Sequence, residues 1–115
     1  MTRYTYETIC SEITADGVRT ISLNRPHAMN AMNPQLINEV SVAFDDANRD
    51  PETRAIIFTG KGRAFCAGDD RHEHVHPETE EEARAVVDAI QRATVSIVMG
   101  AKPVVGAING WAVGG

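Results

Sequence analysis

The fold is decided by residues 103–115, which read PVVGAINGWAVGG. The apolar run at 104–108 predicts a short strand that is buried on both faces. Asn109 and Gly110 predict a turn directly after it. The paired glycines at the end allow the backbone to pass close to a neighbour or a ligand. Because ligands of α/β sheets bind just beyond the ends of strands, this segment is a candidate site.

Two other clusters have the same character. Residues 24–32 read NRPHAMNAM and residues 64–70 read AFCAGDD, and both contain small residues at or just after an apolar run. Taken alone, each cluster is also explained by ordinary turn chemistry. Their shared position relative to predicted strands makes the three of them candidates for one site.

The rest of the chain alternates strands and helices. Segments 6–14 and 18–23 predict a β-hairpin around Asp16-Gly17. Asn33-Pro34 predicts the start of a helix with an apolar stripe, and a second helix is predicted to begin near Pro77-Glu78. A buried strand at 55–58 separates the two helices. The order ββαβαβ predicts an α/β layer fold without internal repeats.

Composition narrows the possible functions. The 115 residues allow one domain, and 43% hydrophobic with 23% charged residues is ordinary globular composition. A net charge of −5 without a basic stripe argues against a nucleic-acid partner or an anionic membrane. The apolar residues at 95–115 are too interrupted to span a bilayer. Two cysteines and no N-terminal apolar segment indicate a reducing, cytoplasmic compartment.

Together the three clusters resemble the motifs of the crotonase family, also called the enoyl-CoA hydratase/isomerase family. Residues 24–32, 64–70 and 103–115 are similar to its first, second and third motifs, in the family's order and spacing. The resemblance covers nearly the whole chain. It implies a crotonase-like α/β fold in which ββα units wind into a spiral. Residues 1–115 would then form the N-terminal part of a single such domain, incomplete at the C-terminus.

The resemblance also implies an activity. Enzymes of this family bind an acyl-CoA thioester and polarise its carbonyl with two backbone N–H groups, which stabilise an enolate-like oxyanion. By position, Asp69 and Gly115 would supply these donors, and the loss of one such donor typically costs about 10²–10³ in rate. The most common reaction is hydration of a 2-enoyl-CoA, a lyase step of fatty acid metabolism. Coenzyme A belongs to the substrate, so no separate cofactor or metal is implied.

Further residues are implied to contact the substrate. The family's acyl-CoA path would include Trp111 beside the acyl pocket, together with His27, Ala28, Ala67, Gly68, Asp70, Arg71 and Gly114. Arg25 or Arg71 is a candidate for binding a CoA phosphate, and the alternative for each is a solvated surface charge. The resemblance further implies a homotrimer or a dimer of trimers.

The chain departs from the family pattern in two ways. Many relatives have a small residue where this chain has Asp69, whose carboxylate would oppose a nearby oxyanion unless it turns outward or meets Arg71. We expect it to turn outward. Family hydratases carry their acid/base glutamates beyond the position of Gly115, and no Glu or Asp here matches them. We therefore expect a longer natural protein, with the isolated 115 residues inactive and either oligomeric or partly unfolded.

Two alternatives belong to other functional classes. A non-catalytic acyl-CoA-binding or interaction module fits a chain without the acid/base residues. A zinc site is suggested by residues 72–76, which read HEHVH and formally match the His-Glu-x-x-His signature. That signature needs a helix, which Pro77 disfavours, although in a strand the three histidines would share one face.

Overall fold

The computed structural model describes residues 2–73 and 76–115. The main sheet contains, side by side, β1 (Thr2–Tyr4), β2 (Ile9–Ile13), β3 (Val18–Leu23), β4 (Ala55–Gly60) and β6 (Val104–Gly106). A smaller layer pairs β5 (Ala64–Cys66) with β7 (Trp111–Ala112) in parallel. The helices are α1 (Pro34–Arg49) and α2 (Glu80–Val98), and a 3-10 turn covers Pro26–Ala28.

The predicted hairpin is present. β2 and β3 pair antiparallel, and Gly17 closes the turn with a φ of 87° that a side chain would resist. The first strand of the hairpin was predicted to start at Tyr6, but it starts at Ile9. β1 was not predicted, and it adds antiparallel to the free edge of β2.

Helix α1 forms as its sequence predicts. The side chain of Asn33 accepts a hydrogen bond from the N–H of Leu36 at 2.8 Å and so caps the first turn. Its apolar stripe packs on the sheet, where the ring of Phe44 meets that of Phe58 edge to face at 5.0 Å. The core on this side consists of Ile9, Ile21, Leu23, Leu36, Val40, Ala43, Phe44, Ala47 and Ile56.

Helix α2 is anchored differently. It begins at Glu80 because the Thr79 hydroxyl accepts from the N–H of Glu82, so the start lies slightly later than predicted. Polar bonds to α1 hold its C-terminal half, since Ser96 donates to Asp45 at 2.6 Å. Many of its apolar side chains are exposed, for example Val98 at 69%.

The chain winds in turns that each follow the same path. One turn runs from β3 through Met32 into α1, the next from β4 through β5 into α2, and a third begins with β6 and β7. Met32 pairs in parallel with Asp69, as β5 does with β7, so the short segments form a second layer. β7 was not predicted, and its residues are extended by pairing with β5.

Three further features concern the third turn, the helices and the cysteines. Side chains around the third turn leave an apolar face open, with Val105 and Trp111 at 61% and 70% exposure. Neither helix in the described ranges is both long and apolar enough to cross a membrane. Cys10 and Cys66 are both free thiols.

Candidate functional site

The second layer brings the three sequence clusters side by side. The N–H of Met32, from the first cluster, donates to the carbonyl of Gly68 in the second at 2.7 Å. The N–H of Val113, from the third cluster, donates to the carbonyl of Cys66 at 2.9 Å. Segments that are far apart in sequence therefore meet at one edge of the molecule.

Two glycines define the closest approach between the second and third clusters. Gly68 and Gly114 have φ angles of 102° and 76°, in the region that side chains disfavour. A Cβ added to Gly68 would lie 3.3 Å from the carbonyl oxygen of Val113. Asp69 and Gly115, which follow these glycines, consequently border the same cleft.

The pairing with Met32 orients the backbone around Asp69. Met32 donates to the Gly68 carbonyl, and its own carbonyl accepts from the N–H of Asp70 at 2.9 Å. Because successive peptide groups of an extended strand point to opposite sides, the Asp69 N–H points away from Met32. The extended backbone therefore presents the Asp69 N–H on the side opposite Met32.

An apolar cleft lies at this edge. It has a volume of about 360 Å³ and is bordered by Asp69, Gly115, Met32, Ile37, Val86 and Ile90, among others. A smaller apolar pocket of about 90 Å³ extends from it toward the core, sharing Met32, Ile37, Ile90 and Gly115. The cleft therefore offers an apolar volume next to the glycine pair.

A polar groove adjoins the cleft on the other side of Asp69. It has a volume of about 670 Å³ and is lined by His27, Ala28, Ala67, Asp69, Asp70 and Arg71. The structure thus brings together five of the residues that the resemblance implied for an acyl-CoA path. Asp69 is common to the groove and the cleft.

One expectation needs correction. Arg25 is not a solvated surface charge, since it is 6% exposed and ion-paired with Asp70 and Glu73, although it also borders the groove. Trp111 is 70% exposed on β7 and borders neither the groove nor the cleft, and its place beside an acyl pocket stays a prediction. Arg71 is exposed in the groove.

Ionisable groups near the site are perturbed for identifiable reasons. Hydrogen bonds from the N–H of His72 and from the Arg25 guanidinium hold the pKa of Asp70 below its usual value. Burial raises the pKa of the Cys66 thiol, so it stays protonated and packs as a small apolar group. Asp70 is therefore a structural anion rather than a proton carrier.

Sequence reasoning missed Asn30, which is completely buried with a φ of 58°. Its amide donates to the carbonyls of Lys61 and Ala64 at 2.9 and 2.8 Å, and its Oδ1 accepts from the N–H of Arg25. Asn30 therefore ties the first cluster to the second. Its place inside the first cluster was the available signal, because Asn tolerates a left-handed backbone.

The zinc alternative falls partly outside the described residues, because His74 lies there. In the part of the chain that the structure describes, no three His, Cys, Asp or Glu side chains are grouped to hold a metal ion.

The chain is similar to known proteins over most of its length. A family model described as enoyl-CoA hydratase/isomerase matches residues 13–115. A probable enoyl-CoA hydratase, echA6, of Mycobacterium leprae is 38% identical over 107 residues, and the match covers 87% of this chain and 39% of that protein. A Rhodobacter capsulatus probable enoyl-CoA hydratase is 38% identical over 95% of this chain and 41% of its own length.

Solved structures agree with these relatives. An enoyl-CoA hydratase/carnithine racemase of Magnetospirillum magneticum superposes with a TM-score of 0.86 at 28% identity, over 96% of this chain and 42% of that one. An enoyl-CoA hydratase of Bacillus anthracis gives 0.80 at 33% identity, over 90% and 40%. The predicted crotonase-like α/β fold is confirmed, and the chain spans well under half the length of these proteins.

Proposed function

The chain belongs to the enoyl-CoA hydratase/isomerase family, and on that premise we propose that it supplies the thioester-activating part of an acyl-CoA site. The observation that carries the proposal is the position of Asp69 between a polar groove and an apolar cleft, with Gly115 beside it. An acyl-CoA has a polar nucleotide end and an apolar acyl end joined at the thioester. Laid across this edge, its carbonyl would lie at the junction.

The chemistry assigned to the junction is oxyanion stabilisation. When a nucleophile adds to a 2-enoyl thioester, or a proton leaves its α-carbon, negative charge develops on the carbonyl oxygen. The N–H groups of Asp69 and Gly115 would donate to that oxygen more strongly in the transition state than in the ground state, which lowers the barrier. The glycines at 68 and 114 let the two segments that carry these donors pass close to each other.

Proton transfer is not assigned to the carboxylates of this site. Asp70 and Glu73 are both ion-paired with Arg25, and hydrogen bonds from His72 and Arg25 lower the pKa of Asp70, which makes Asp70 a weak base. Hydration of a 2-enoyl-CoA, a lyase step of fatty acid metabolism, is the specific reaction we propose for the whole protein. A cytoplasmic location and a homotrimer or dimer of trimers belong to the same proposal.

The direct test is turnover of crotonyl-CoA by the full-length protein, followed as loss of the conjugated thioester absorbance. Calorimetric titration with butyryl-CoA, which cannot be hydrated, measures binding separately. Turnover with binding is the expected result. Binding without turnover of any enoyl-CoA would favour the non-catalytic module, and the absence of both would contradict an acyl-CoA site.

A further inference from the structure

We infer that Arg25 is a positioning residue that fixes the Asp69 backbone donor, rather than a ligand for a CoA phosphate. The inference rests on the proposed role of Asp69, and it adds a residue from outside the cleft to the machinery of that site. It is carried by a cluster of charges, with Arg25 and Asp70 buried and Glu73 at the surface, that joins the first sequence cluster to the segment after Asp69.

The cluster is centred on the guanidinium of Arg25, whose side chain is 8% exposed. Nη1 lies 2.9 Å from Oδ2 of Asp70, and Nη2 lies 2.7 Å from Oε2 of Glu73. Nη1 also donates to the carbonyl of Ala31. One cation therefore holds two carboxylates and a backbone carbonyl, which makes the contacts directional as well as charged.

The two carboxylates extend this control to the backbone of residues 69–73. Oδ1 of Asp70 accepts from the N–H groups of His72 and Glu73 at 2.9 and 3.3 Å, so the same side chain that meets Arg25 also folds the loop. Backbone hydrogen bonds to Met32 also hold both neighbours of Asp69, through the Gly68 carbonyl and the Asp70 N–H. The Asp70 side chain therefore adds a second attachment to a backbone that already pairs with Met32.

Loss of Arg25 would release the side-chain attachment and leave only the backbone pairing with Met32. The Asp70 side chain is 7% exposed, and a buried carboxylate without its cation is strongly unfavourable. The loop is therefore expected to move until Asp70 reaches water. A displacement of about 1 Å at a preorganised donor costs roughly 10²-fold in rate, so this movement would reach the thioester carbonyl.

Arg71 provides the natural comparison. It is exposed and lines the polar groove, which is the place where a CoA phosphate would lie. Arg25 borders the same groove, but its side chain is 8% exposed and its guanidinium is bound to Asp70 and Glu73. The two arginines should therefore respond differently to a substrate that lacks the phosphates.

The test uses the full-length variants Arg25→Met and Arg71→Ala with two substrates, crotonyl-CoA and the truncated thioester crotonyl-N-acetylcysteamine. We expect Arg25→Met to lower kcat by about 10–10²-fold on both thioesters, with a smaller change in KM. Arg71→Ala should raise KM for crotonyl-CoA alone. A loss in Arg25→Met that is confined to crotonyl-CoA would overturn the inference, because it would mean that Arg25 meets a phosphate.

Amide hydrogen exchange of residues 67–73 provides a readout that does not depend on turnover. Exchange should be faster in Arg25→Met than in the wild type, and Arg25→Lys should restore part of the protection. Unchanged exchange overturns the inference even if activity falls. If the wild-type protein turns over neither thioester, the proposed function is contradicted rather than the role of Arg25. If Arg25→Met does not fold, Arg25→Lys serves as the test, and wild-type values for both its kcat and its exchange would contradict the inference.

Discussion

Gly68 and Gly114 touch backbone to backbone where the second and third sequence clusters pass each other. A Cβ on Gly114 would lie 3.4 Å from the Cα of Gly68, and both residues have positive φ. This contact sets the separation of the residues that follow, Asp69 and Gly115. Gly68 and Gly114 both disfavour a side chain, because of their positive φ and because of the nearby backbone. Their close approach therefore positions the proposed donors.

Gly68→Ala should lower the free energy of unfolding by about 1–2 kcal/mol, because Ala resists a left-handed backbone. Urea unfolding measures the change. The matched control is Gly106→Ala, whose new methyl group would meet only the flexible end of Ile108 at 3.4 Å and should change stability by less than about 0.5 kcal/mol. Equal losses in the two variants would contradict the proposed importance of the Gly68 backbone.

The side chain and the backbone of Asp69 should have separable effects on turnover. Asp69 is exposed, as expected for a carboxylate that turns outward, so Asp69→Ala should change kcat less than about tenfold while keeping the N–H. Asp69→Pro removes the N–H and should lower kcat by about 10²–10³-fold. Thermal melts show whether each variant is folded.

A rise of tenfold or more in Asp69→Ala would mean that the carboxylate faces the developing oxyanion, contrary to our hypothesis. A folded Asp69→Pro variant with wild-type turnover would remove this N–H from the mechanism.

Acid should destabilise the protein partly through Asp70. Its pKa is lowered in the folded state from the ordinary value of 3.8, chiefly by the hydrogen bond from the N–H of His72 and then by Arg25. The resulting stabilisation is complete above the ordinary value and is lost as the pH falls through the lowered pKa. Urea unfolding between about pH 5 and pH 2 should show a smaller acid loss in Asp70→Asn, which cannot titrate there, than in the wild type. Identical losses would show that Asp70 does not contribute.

The apolar cleft should select the acyl chain. Ile90 borders both the cleft and the inner pocket, and Ile90→Phe places a larger group in a volume of about 360 Å³. We expect kcat/KM to fall more for longer 2-enoyl-CoA chains than for crotonyl-CoA. Val87→Phe is the control, since Val87 is 50% exposed on the same helix and borders neither volume. The same chain-length profile in both variants would place the acyl chain elsewhere.

Local signals in the sequence predicted much of the fold. The hairpin at Asp16-Gly17 and the start of α1 at Asn33 follow from turn and capping chemistry, which needs only neighbouring residues. β7 could not be predicted in this way, because Trp111 and Ala112 are extended only by pairing with β5. The second layer as a whole depends on contacts between segments that are distant in sequence.

The three motifs predicted which segments form the candidate site, and the structure corrected the exposure that was predicted for Arg25. Asp69, Gly115 and the groove residues lie together, and their roles stay predictions. Arg25 was expected to be a solvated charge or a phosphate ligand, and the structure buries it in ion pairs, because exposure is a property of packing. Trp111 is exposed, and its place beside an acyl pocket stays a prediction. Buried ion pairs such as Arg25 with Asp70 leave little trace in one sequence.

We propose above all that the N–H groups of Asp69 and Gly115 bind a thioester carbonyl. The most direct measurement is nuclear magnetic resonance of the full-length protein, ¹⁵N-labelled at Asp and Gly, during titration with butyryl-CoA. We predict that the amide protons of Asp69 and Gly115 shift downfield together, and further than the amide proton of the control residue Gly106. Saturable binding that leaves both of these resonances in place would contradict it.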